Sequence, residues 1–238
     1  MKNDSVGEVP FPPSLRDAAP ARPCFSPGTG GLLAVSPIAW HEAGHAIVSR
    51  WLGLPLGGIT IIPTDEYGGI TFGPEADCLN VTRAALREEA QHQCDGAMEL
   101  LPPAGCRRDS TSSWLVYAQS QILGLMAGFA AEELAGFSRD LEAQSTDYAV
   151  AKMYARSIVM SDEAVPSFVE SCRADAMKSL KDHWQAVTDV AMALDERKTL
   201  TGADIDTIIF AAEGRASHDA ELRRRARMAA MIARTKSA

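Results

Sequence analysis

The sequence predicts a mainly α fold with one small β element lying near a helix that carries the chemistry. Three observations predict it. From Thr82 onward nearly every stretch has helical character, broken chiefly by "LPPAGCRRDS". Only two β-branched runs stand out, at 59–62 and 70–72, separated by turn residues, which predicts a short hairpin or two strands of a small sheet. The stretch "PIAWHEAGHAIVSRWLG", residues 37–53, places two histidines four residues apart on an otherwise apolar helical run.

Residues 1–33 are rich in proline and glycine with little periodicity, and read as a disordered or loosely attached arm. Ser36-Pro37 then marks a helix start, a hydroxyl cap followed by proline in the first turn, and the helix should end near Leu52 at "GLP". After the two strands, helices are expected over about 82–100, 111–136, 145–160, 163–196 and 201–213, with a helical tail beyond. The expected organisation is therefore an arm (1–33), a core domain (34–213) and a basic helical tail (214–238).

Composition narrows the function classes. The chain has 238 residues, 46% hydrophobic and 23% charged, with a net charge of −8. That balance gives no reason to expect nucleic acid as a partner. Arg223, Arg224, Arg225 and Arg227 form the one basic cluster and read as a solvated helix end. Five cysteines with no CxxC pair, and a start with acidic residues and no apolar core, predict free thiols in a reducing cytoplasm. The longest apolar run, "ILGLMAGFAA", is ten residues, about half of the roughly 20 that a bilayer span needs, so no transmembrane segment is expected.

Residues four apart on a helix lie about 40° apart around its axis and about 6 Å along it. His41 and His45 therefore project side by side, at a separation that one zinc ion can bridge. Glu42 lies about 100° round, beside the pair, where it could take a proton from an attacking water as H-E-x-x-H chemistry requires. Ile38, Val48 and Leu52 share the histidine face, so the imidazoles should point into the core. Gly44 lies near that face too. A helical glycine costs about 1 kcal/mol relative to alanine, which makes sense if something approaches the backbone closely there. The motif alone fits two packed core histidines as well as it fits a metal site, so a third ligand matters.

Two segments offer one. In "QILGLMAGFAAEELAGF", Glu133 shares a stripe with Ile122, Met126 and Phe129, while Glu132 falls towards its edge. In "QSTDYAVAKMYARSIV", Ser145 or Thr146 can cap a helix, leaving Asp147 in its first turn on the face of Val150, Ala151, Tyr154 and Ile158. Pattern does not choose between Glu133 and Asp147. His92, Cys94 and Cys106 match no strong zinc spacing, and His183 and His218 read as packing or surface residues.

The succession "AWHEAGHAIV", "ITIIPTDEYGGITFGPE", "AGFAAEEL", "STDYAVAKMYARSIV" and "ALDERKTLTGADI" resembles, in order, the peptidase domain of FtsH-type zinc metalloproteases over roughly residues 36–210. The resemblance implies a helical metallopeptidase domain that binds Zn2+ through His41, His45 and Asp147, with Glu42 as general base. Glu133 then becomes a candidate for positioning a histidine. It also implies a substrate-aligning edge strand, for which Ile59, Thr60, Ile61 and Ile62 are the candidates, "GGITF" being the other possible segment.

The sequence departs from that pattern in two places. No P-loop G-x-x-x-x-G-K-[S/T] occurs, and the stretch from about 78 to 120 looks longer than its family equivalent. The expectation is a metalloendopeptidase acting on unfolded or flexible polypeptides, alone or with a separate ATPase or unfoldase, its oligomeric state left open. The alternative is a catalytically weak, peptidase-like module that binds polypeptides or serves as an adaptor.

Overall fold

The computed structural model describes residues 35–74, 82–99, 112–137 and 145–236. Residues 1–33, expected as an arm, and Cys106 lie outside them. In chain order the elements are α1 (Pro37–Trp51), β1 (Gly58–Thr60), β2 (Ile70–Phe72), α2 (Arg83–Glu99), α3 (Ser112–Leu134), α4 (Thr146–Arg156), α5 (Ala164–Asp182), α6 (Trp184–Arg197), β3 (Thr199–Thr201) and α7 (Gly202–Lys236). The fold is mainly helical with a small antiparallel sheet, as the sequence predicts.

The sheet has the order β2-β1-β3. β1 is central: Ile59 is opposite Thr71 of β2 on one side and Leu200 of β3 on the other. Strand β3 is absent from the sequence prediction. At three residues, directly after a helix, it has no periodicity to display. It forms because Lys198 adopts a left-handed conformation (φ 67°) that turns the chain out of α6 and back along β1.

Helix α1 runs through the middle of the molecule. All ten residues from Ala39 to Val48 are buried, so the helix is enclosed rather than packed along one stripe. Trp40, Ile47, Ile59, Leu180, Leu194, Leu200 and Ile205 build the core around it. A second cluster, including Ile122, Met126, Phe129, Tyr154, Val169 and Cys172, fills the space among α3, α4 and α5. Gly44 explains the close approach expected of it: a Cβ there would lie 2.4 Å from the Ala127 carbonyl oxygen of α3. No larger residue fits between those two backbones.

Two local expectations change. Ser36 does stand at the N-cap of α1 with Pro37 next, but its side chain makes no bond to the helix. Its hydroxyl donates to Asp195 Oδ1 at 2.6 Å instead, tying the start of α1 to α6. The single helix expected over 163–196 is two helices hinged at His183, which has φ −121°. No glycine or proline marks the break. Aromatic packing makes it: His183 stacks on Trp51 with centroids 3.6 Å apart, and Trp184 stacks on Trp40 at 5.2 Å. Helix α7 passes through 213–214, the expected start of the tail, without interruption. Among the described residues no helix is long and apolar enough to cross a membrane.

Candidate metal centre

Helix α1 presents His41 and His45 one turn apart, and their rings meet edge to face with centroids 4.5 Å apart. Helix α4 brings Asp147 to them. Ser145 caps α4 by accepting from the Tyr148 N–H at 3.1 Å, which leaves Asp147 in the first turn, where a carboxylate is favoured. Its Oδ2 lies 3.2 Å from His41 Nε2 and 3.6 Å from His45 Nε2. Among the described residues these three form the one histidine, cysteine or carboxylate group able to hold a metal ion.

The other ring nitrogens reveal what the site wants. His45 Nδ1 lies 2.7 Å from the Gly124 carbonyl oxygen, which can only accept, so Nδ1 carries the proton. His41 Nδ1 lies 3.0 Å from Glu132 Oε1, again an acceptor. In the neutral imidazoles both Nε2 lone pairs then face one carboxylate oxygen. Three acceptors converging in a buried place repel one another unless a cation joins them. The spacing suits a metal: bonds of about 2.0–2.1 Å in a tetrahedron place ligand atoms about 3.3 Å apart.

The electrostatics agree. Burial alone would lower the pKa of His41, yet Asp147 and Glu132 outweigh it and raise it to about 10. Burial likewise opposes ionisation of Asp147, but the two histidines hold its carboxyl well below the usual range. Such a site attracts positive charge, whether a proton or a divalent ion. Phe129 closes one side, edge to face against His41 at 5.1 Å.

Glu42, 3% exposed, is placed beside the two histidines by the same helix. Burial pushes its carboxyl up from the ordinary value, against the pull of His45, His41 and a hydrogen bond from Thr71.

No protein-family model matches the chain. Its similarity to curated proteins is consistent nonetheless. An ATP-dependent zinc metalloprotease FtsH 4 of Sorangium cellulosum is 27% identical over 190 residues, 72% of this chain and 28% of that protein. An FtsH of Chloroflexus aggregans is 30% identical over 192 residues, again 72% of this chain and 28% of the relative. An FtsH of Endomicrobium trichonymphae is 28% identical over 187 residues, 72% of this chain and 29% of that protein. This chain is a distant relative of the FtsH metalloproteases. It spans less than a third of the length of the FtsH proteins it matches.

Two of the assignments made from the sequence differ in the structure, one on α3 and one on the strand segment. Glu133 does not touch a histidine; it is an exposed residue paired with Arg173 of α5. The carboxylate against His41 is its neighbour Glu132, 1% exposed. One helical residue is a rotation of about 100°, enough to exchange a buried partner for a solvent-facing one. Nor is the segment Ile59, Thr60, Ile61 and Ile62 an edge strand where it pairs in the sheet. Ile59 and Thr60 are paired on both sides, the Ile61 N–H donates to the Lys198 carbonyl, and the Ile62 N–H to Thr60 Oγ1. Among the described residues the strand beside Glu42 with an open edge is β2.

The FtsH motifs left a further set unnoticed. Gly124, Gly128 and Glu132 lie four apart on the face of α3 that meets α1. They supply a carbonyl for His45, space for both rings, and a carboxylate for His41. A Cβ at Gly128 would lie 2.6 Å from His41 Nε2 and 2.7 Å from His45 Nε2, filling the place where a ligand would sit. The G-x-x-x-G-x-x-x-E spacing was the available signal.

Proposed function

We propose that this chain is a zinc-dependent endopeptidase that hydrolyses peptide bonds in unfolded or flexible polypeptides. The observation that supports it most is the convergence of His41 Nε2, His45 Nε2 and Asp147 Oδ2 beside the buried Glu42. His41, His45 and Asp147 would hold the ion. Two histidines and one carboxylate are a donor set typical of catalytic zinc, with a position left for water or substrate. When bound, zinc supplies Lewis acidity that makes water nucleophilic near neutrality and polarises the scissile carbonyl.

The chain's own residues do the remainder. Gly124 and Glu132 hold the imidazoles in the tautomer that directs Nε2 inward. Glu42 accepts the proton of the attacking water and delivers it to the departing amine. Burial strengthens its hold on that proton, as a carrier requires. The ligands come from two helices locked by close packing, so little reorganisation is required on binding. The free, buried thiols of Cys94 and Cys172 fit a reducing, cytoplasmic setting. Stable substrates would need an ATPase or unfoldase to open them.

Glu42→Gln tests this reading. Casein or peptide cleavage should fall at least about a thousandfold while zinc stays at its wild-type stoichiometry by metal analysis. Undiminished turnover in that variant sinks the base assignment. Stoichiometric zinc with no hydrolysis by the wild type favours a polypeptide-binding module instead.

A further inference from the structure

We propose that Thr71 is a positioning residue for hydrolysis: its hydroxyl, carried on strand β2, holds the Glu42 carboxylate in the orientation from which it accepts a proton. The inference rests on the endopeptidase reading above. Thr71 Oγ1 donates to Glu42 Oε2 at 2.8 Å, a contact between residues 29 apart in the chain. Helix α1 fixes the backbone of Glu42 but leaves its side-chain torsions free. A hydroxyl bonded to one carboxylate oxygen restricts those torsions and leaves the other oxygen to accept.

The donor itself is held firmly. Thr71 lies opposite Ile59, a fully buried residue of the central strand, so its backbone belongs to the sheet rather than to a loop. As a β-branched residue in a strand it has few side-chain rotamers. The backbone two residues earlier confines Glu42 sterically: a Cβ at Gly69 would lie 2.9 Å from Glu42 Oε1 and 3.0 Å from its Cγ. One glycine and one hydroxyl together leave the carboxylate a narrow choice of positions. A residue that serves only sheet formation needs no donor aimed at a buried acid.

The test compares Thr71→Val, which keeps shape and strand preference but loses the donor, with Thr71→Ser, which keeps the donor. In the zinc-loaded full chain, Val should lower kcat on unfolded casein about tenfold or more with KM within about twofold, since a hydrogen bond to a charged group is being removed. Ser should recover kcat to within about threefold, and zinc content should match wild type in both. Crystal structures give a readout independent of turnover: the Glu42 carboxylate should leave its place beside strand β2 in Val and keep it in Ser. Wild-type kcat in Val, a loss confined to KM, equal losses in Val and Ser, or an unmoved Glu42 in the Val crystal would each overturn the proposal. Should wild type cleave nothing, the endopeptidase reading fails, and the Val crystal still decides whether Thr71 holds Glu42.

Discussion

A Cβ added at Gly44 of α1 would sit 2.4 Å from a backbone carbonyl oxygen, whereas one added at Gly96 of α2 would meet nothing within 4 Å. The two helices are built on opposite terms. Helix α1 is enclosed, with its glycine, its histidines and its glutamate all buried. Helix α2 buries only Ala90 and Cys94 along its length. Those two residues join the second apolar cluster, and Gln93 Oε1 adds a polar contact, accepting from Tyr154 at 2.6 Å and Tyr117 at 3.0 Å. Where the candidate ligand atoms converge, the chain uses contacts with no slack. Where only coverage is needed, it tolerates open space. The stretch from about 78 to 120, expected from the sequence to be longer than its FtsH equivalent, includes this tolerant helix.

The largest effect expected from breaking the crowded side is at the candidate metal centre. Gly128→Ala places a methyl group against both Nε2 atoms, so zinc bound after dialysis should fall below about a tenth of the wild-type stoichiometry, a loss typical of a blocked ligand position. Circular dichroism should show the helices retained. Normal zinc in that variant would mean that the rings are free to move aside, and the contrast with α2 would lose its meaning.

A smaller effect is expected for the neighbouring glutamates. Glu132→Gln should weaken zinc affinity about 10- to 100-fold by competition titration, because the acceptor that orients His41 is weakened. Glu133→Gln, altering only an exposed pair with Arg173, should stay within about twofold. Equal effects from both would return the histidine contact to an open question.

The same substitution in the two helices should have opposite signs. Gly44→Ala overfills the α1–α3 contact and should lower unfolding free energy by about 1–3 kcal/mol in urea. Gly96→Ala, with room for its methyl and a gain in helix propensity, should raise it by up to about 1 kcal/mol. A stabilised Gly44→Ala would contradict the packing described above.

The smallest effect is where α1 reaches solvent. The Ser36 hydroxyl holds the Asp195 carboxyl below the usual aspartate range. A depressed carboxyl pKa means stability that is present above the unfolded value and lost as the pH falls through the folded one. The wild type should therefore lose a few tenths of a kcal/mol on acidification below pH about 4 that Ser36→Ala lacks, the small size reflecting solvent screening of a partly exposed pair. Denaturant midpoints at pH 7 and pH 3 would show it; identical slopes in both proteins would count against the tether.

Much of this was legible in the letters. The histidine spacing, the neighbouring Glu42, the capped start of α4 and the meaning of Gly44 follow from helical geometry. Two strands, and most helix limits, follow from periodicity and from breaks. Periodicity favours Glu133 over Glu132 because it assigns the inward face of α3 to its line of large apolar residues. Helix α3 is buried broadly, and the face that meets α1 is made of Gly124, Ala127, Gly128 and Ala131. Small residues look featureless to a hydrophobicity pattern, yet they permit the closest approach.

By itself, then, the sequence determined the local objects: helices of given length, two imidazoles on one side of a turn, an acid next to them, an aspartate at a helix start. Those depend on backbone geometry within a few residues. Tertiary structure alone decided which acid met which ring, that β1 lay inside the sheet, that β3 existed at all, and that a chain apparently continuous at His183 turned there. Such outcomes depend on contacts between residues far apart in the chain, where a rotation of one residue, or a stacked pair of indoles, outweighs local preference.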